Sequence, residues 1–106
     1  MKVYIASPIA GYANNNKEAF EIAYWKLANL DHEPVNPHDV GVLADPHTCR
    51  GDIATDGHRY GCYMIPDIKA LLDCEGYTLL EGWEFSKGAR VEEQVAVICG
   101  LEYVEI

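Results

Sequence analysis

Two short apolar runs, Lys2 to Ala6 and Tyr77 to Leu80, are the strongest constraint on this chain. The first alternates little between apolar and polar residues and is bounded by Ser7-Pro8. A strand with one wet face alternates strictly, whereas a strand covered on both faces does not. Each run passes directly into a loop and then into helical periodicity. That succession predicts parallel strands joined by helices.

The remaining elements fall around these two. Phe20, Ala23, Tyr24, Leu27 and Leu30 recur at three- to four-residue spacing, which predicts a helix over 17–30 with one apolar face. One of Asn14 to Asn16 is expected to cap it. Residues 34–37 read as a short extended segment, because proline restricts the residue before it. Pro66 suits the first turn of a helix running to about Cys74. Gly82 to Phe85 reads as a loop. Ser86 then caps a helix reaching Cys99, Gly100 stops it, and Leu101 to Val104 forms the last strand. Residues 38–62 show no clean period and read as an irregular loop insert.

The order predicts a single α/β domain over 1–106: a three-layer sandwich with a four-stranded parallel sheet, flavodoxin-like in type. A chain of 106 residues has room for one domain with a modest core. The formal net charge of −9 argues against nucleic-acid polymers and anionic membranes, which need a basic footprint. A single phosphate held by backbone amides is still compatible with it. Met1 leads straight into the first strand, and no apolar stretch approaches the roughly 20 residues a membrane helix requires. A cytoplasmic location is expected, with reduced thiols. Cys74 and Cys99 lie in apolar runs and read as small core residues.

Ligands of open α/β sheets sit beyond the carboxyl ends of the strands. Two loops occupy that position: 6–11, after the first strand, and 82–89, after the Tyr77 strand. The second opens a helix with Ser86, and Gly88 lets backbone approach a ligand closely. Ser86 also has a plainer role as an N-cap. Glu92 lies in the same helix near the same end of the sheet, and Glu93 points about 100° away around the axis. Asp67 reads as an acid favoured by the dipole at the start of the preceding helix. Glu92 has a plain reading as a solvated helical carboxylate, and Asp67 as that helix-start acid. Together they form the pair that covalent glycosidic cleavage needs: one nucleophile and one group that moves a proton.

These residues resemble those of the nucleoside 2-deoxyribosyltransferase-like superfamily, which includes the 2′-deoxynucleoside 5′-phosphate N-hydrolases. The resemblance covers residues 1–37 and 63–106. It runs through Tyr4-Ile5-Ala6-Ser7-Pro8-Ile9-Ala10-Gly11, Asn16, Phe20, Ala23, Leu27 and Asn36-Pro37. It continues through Asp67, Glu75, Gly82-Trp83, Ser86, Gly88-Ala89, Glu92 and Ala96. Ser86 stands where the transferases often carry an acid.

The resemblance implies that Glu92 attacks C1′ of the sugar and that Asp67 assists the leaving base. It implies that Ser7, Gly11, Ser86 and Gly88 surround the sugar or a 5′-phosphate, with Tyr4 as an aromatic near the sugar. Trp83, with Tyr60 and Tyr63, has a ring suited to stack on a base. The expected activity is cleavage of the N-glycosidic bond of a small deoxynucleoside or deoxynucleoside 5′-monophosphate, by hydrolysis or base exchange. No cofactor is required, since carboxylates do the chemistry. The alternative is a non-catalytic module that binds or senses a nucleotide through the same loops.

His38, His47, Cys49, His58 and Cys62 are all metal-ligand types, but their spacing follows no standard zinc pattern, so no metal is expected. A homo-oligomer, most simply a dimer, is expected. A small domain extends its core by pairing, and Trp25 widens the apolar arc of the first helix. Relatives complete their sites from a neighbour, a part for which Tyr12, Tyr60 and the histidine-rich loop are candidates.

Overall fold

The computed structural model describes residues 1–8, 16–39 and 60–106. Four strands, β1 (Lys2–Ala6), β2 (Glu33–Val35), β3 (Gly76–Leu79) and β4 (Glu102–Tyr103), alternate with three helices, α1 (Lys17–Asn29), α2 (Tyr60–Leu72) and α3 (Lys87–Ile98). All strand pairs are parallel, in the order β2-β1-β3-β4. This is the expected α/β sandwich with a four-stranded parallel sheet.

Connectivity and handedness together set the layers. The step from β1 to β2 runs one way along the sheet, and the steps from β2 to β3 and from β3 to β4 run the other. Right-handed crossovers then put α1 on one face and both α2 and α3 on the opposite face. The core divides accordingly. Val3 and Ile5 pack with Phe20, Ala23, Leu27 and Val104 beneath α1. Tyr4 and Ala6 pack with Leu71, Cys74, Tyr77 and Ala96 beneath the helix pair. Because neighbours in register share a face, Tyr4 opposite Tyr77 and Ala6 opposite Leu79 commit the same side of the sheet to α2 and α3.

Local signals account for most element ends. Ser86 is extended at φ −106°, ψ 123°, and its Oγ accepts the Ala89 N–H at 3.2 Å. That bond satisfies one of the free donors at the start of α3. At the other end Gly100 adopts φ 76°, and the Leu101 N–H reaches the Ala96 carbonyl at 2.9 Å. Few side chains tolerate that left-handed turn, so the helix stops there. Gly76 opens β3 for a different reason: a Cβ there would lie 3.0 Å from the Glu102 carbonyl oxygen.

Several expectations are corrected. Pro66 sits inside α2 rather than in its first turn, since the helix begins at Tyr60. The irregular segment therefore ends earlier than expected. Pro66 leaves the carbonyl four residues back without its helical donor. It is nevertheless buried, and packing of the helix on the sheet outweighs the local cost. Asp67 consequently lies well within the helix, so the dipole explanation for it fails. Cys74 is buried as expected, but Cys99 is exposed, because it lies past the last turn of α3 on its solvent side. Leu30 is also exposed, since α1 ends at Asn29 and the chain turns away from the sheet. Asn16 occupies the cap position of α1 but makes no side-chain cap bond. Among the described residues, no helix is long and apolar enough to cross a membrane.

Candidate active site

The carboxyl end of the sheet brings together residues far apart in sequence. The first of them, Tyr4, lies in β1, fully buried, on the face covered by α2 and α3. Its hydroxyl donates a hydrogen bond to Oε2 of Glu92, which α3 turns inward toward the strand. Asp67 enters from α2, near enough for its charge to act on both Tyr4 and Glu92. A strand residue and one residue from each of two helices thus form a buried acidic cluster. Glu93, the next residue along α3, is less buried than Glu92, in line with the 100° step around a helix.

Burial dominates the electrostatics. Glu92 is 5% exposed, and desolvation pushes its carboxyl up to about 8, opposed by the Tyr4 hydrogen bond and reinforced by the charge of Asp67. Asp67 is 7% exposed and is pushed up to about 7 by burial. Tyr4 is raised well above the usual phenol range, by burial first and then by the charges of Glu92 and Asp67. It therefore stays protonated and acts as a donor. Two buried acids side by side cannot both ionise freely, so near neutral pH the pair retains a proton. One oxygen of Asp67, Oδ1, is buried with no hydrogen-bond partner among the described residues. Buried polar atoms are normally paired. This one lacks that pairing.

The residues that follow β1, Ser7 and Pro8, are held by Asn16. Asn16 has φ 60°, and its Nδ2 donates to the Ser7 Oγ at 3.2 Å and to the Pro8 carbonyl at 3.0 Å. Its side chain therefore ties the start of α1 to the end of β1. Sequence offered three adjacent asparagines and no means of choosing among them. Ser7 is buried at this edge, and β3 closes beside it through the Leu80 N–H to the Ala6 carbonyl at 3.0 Å.

Gly88 is buried in the first turn of α3, and the Ser86 Oγ is engaged in its cap. Trp83 lies half-buried in a 3-10 turn, Trp83–Phe85. Among the described residues no hydrogen bond joins it to the carboxylates. Gly11 and Tyr12 lie outside the described residues, as do His47, Cys49 and His58. Tyr60, Cys62 and Tyr63 are placed only as backbone of α2. The ring of His38 packs edge-on against Phe20, with centroids 4.7 Å apart, which gives one of the loop histidines a structural contact. Among the described residues no group of three or more His, Cys, Asp or Glu is arranged to hold a metal ion.

One family model, described as "Domain of unknown function (DUF4406)", matches residues 1–105. No curated protein and no solved structure matches the chain.

Proposed function

This chain belongs to the DUF4406 family, and for this member of it we propose cleavage of the N-glycosidic bond of a small deoxynucleoside or deoxynucleoside 5′-monophosphate. The observation that carries the reading is the buried pair Asp67 and Glu92, with Tyr4 bonded to one member and a free oxygen on the other. The residue pattern shared with the nucleoside 2-deoxyribosyltransferase-like superfamily supports the same reading.

In the first step the Glu92 carboxylate attacks C1′ and the C1′–N bond breaks. The departing base takes the electron pair of that bond and a proton from Asp67. Tyr4 orients Glu92 and disperses its charge before attack. Burial holds one proton on the Asp67–Glu92 pair near neutral pH, and the step proceeds from the form in which that proton sits on Asp67 and Glu92 is ionised, a form that the Tyr4 hydrogen bond to Glu92 favours. In the second step water attacks C1′ of the glycosyl ester. Asp67 takes its proton, and Glu92 leaves as the carboxylate. A second base in place of water would make the reaction a transfer. Ser7, the Ser86 end of α3 and Gly88 form the surrounding edge for the sugar and any 5′-phosphate, with Trp83 beside it. No cofactor enters either step. The protein acts as a cytoplasmic enzyme of nucleotide metabolism.

The test is incubation with a panel of nucleosides and nucleoside monophosphates, with and without an added second base, followed by chromatography. Free base is expected from the deoxy members, and a new nucleoside would identify transfer. Tight binding without release from any member would replace this reading with a nucleotide-binding module.

A further inference from the structure

On the solvent side of α2 and α3, opposite the buried carboxylates, a groove of about 670 Å³ runs between the two helices. Met64, Ile65, Ile68 and Val91 give it apolar walls. Lys69, Lys87 and Arg90 stand at its edges. The whole chain has 8 lysines and arginines against 17 acids, so this groove gathers cations in an acidic protein. Among the described residues the only ion pair is Lys2 with Asp73, and none of these three cations takes part in it.

The opposite face of the molecule carries a complementary stripe. Glu18, Glu21, Ile22 and Trp25 follow the i, i+3, i+4, i+7 spacing that places side chains along one side of a helix. All four are exposed, Ile22 by 51% and Trp25 by 64%. Two acids and two large apolar groups thus line the outer side of α1. An amphipathic helix laid into an apolar groove is a recurrent mode of association, and opposite charges at the rim set its register.

We propose that the α2–α3 groove docks α1 of a second copy of this chain, with Ile22 and Trp25 against its apolar walls and Glu18 and Glu21 beside its cations. The helix and the groove lie on opposite faces of one sheet. One contact therefore cannot be reciprocated by the same two copies. The association is head-to-tail and builds a ring or an open stack rather than a two-fold dimer. It does not depend on the proposed glycosidic chemistry.

The test uses sedimentation at about 0.1 mM chain, a level that populates contacts of micromolar affinity. Two charge-reversed variants are compared with wild type: Lys69→Glu with Arg90→Glu in the groove, and Glu18→Lys with Glu21→Lys on α1. All four residues are exposed, so both variants are expected to fold, as far-ultraviolet circular dichroism would check. Wild type is expected to sediment above the mass of one chain. Each variant alone is expected to be monomeric, weakened by at least about 100-fold, since like charges brought together cost several kcal/mol. Mixed in equal amounts, the two variants offer two complementary contacts, the intact helix with the intact groove and the reversed helix with the reversed groove, and they are expected to associate again above the mass of one chain. A monomeric wild type would overturn the proposal. So would an α1 variant that associates like wild type, or a mixture that stays monomeric.

Discussion

The hydroxyl of Tyr4, on the central strand β1, donates to the carboxylate of Glu92, on the last helix, across 88 positions of sequence. This bond joins the sheet to the element carrying the proposed nucleophile. A buried carboxylate with one strong donor is held in a single orientation, and its remaining lone pairs are free for attack.

Replacing Glu92 is the most direct test of the chemistry. Glu92→Gln keeps the volume and the Tyr4 contact but removes the negative charge. Base release is expected to fall by at least about 10⁴-fold, the scale of losing a nucleophile. Glu93→Gln, one step around the helix, is expected to stay within about twofold of wild type, as surface changes away from special features usually do. Equal activity in the two variants would remove Glu92 from its role.

Asp67→Asn is expected to slow base release by about 10²–10⁴-fold, less than the loss of Glu92, because its task is proton transfer. A substrate whose base leaves readily needs less protonation and is expected to recover part of the rate. Equal damage to good and poor leaving groups would assign Asp67 another task.

Tyr4→Phe keeps the ring in the core and deletes one donor to a buried charge. Such a bond is worth about 1.5–3 kcal/mol, so a loss of about 10- to 100-fold is expected. With the donor gone, the pH at which Glu92 ionises is expected to move upward, and the acid limb of the rate profile with it. A lowered rate with an unmoved limb would make Tyr4 a packing residue.

Stability is expected to depend on pH through the same pair. Burial raises Glu92 from 4.5 to about 8 and Asp67 from 3.8 to about 7. The folded state therefore binds more protons than the unfolded state between those limits. Stability from this source is full below about pH 4 and is lost as the pH rises through about 7 to 8. Thermal unfolding of wild type is expected at progressively lower temperature from about pH 5 to about pH 9. Glu92→Gln is expected to flatten that decline, with a gain at high pH on the order of a few kcal/mol. A wild type that grows more stable over the same range would falsify the burial argument.

The sequence by itself determined the elements whose causes are local. Unalternating apolar residues marked β1, the three- to four-residue period marked α1, Ser86 marked the start of α3 and Gly100 its end. Each signal acts within a few residues, so each could be read without knowing the fold. Asp67 and Glu92 were also legible as a candidate pair, but by residue pattern rather than geometry. Tertiary structure decided the rest. It placed Pro66 inside a helix against its own local preference, because burial of α2 on the sheet outweighs one missing hydrogen bond. It exposed Cys99 and Leu30, which composition alone would have buried. It also turned Tyr4 onto Glu92 and enclosed Asp67, raising both carboxyls through desolvation that neither residue's neighbours in sequence impose. Desolvation and long-range contact depend on what the completed fold packs around a group, and no period or spacing along the chain carries that information.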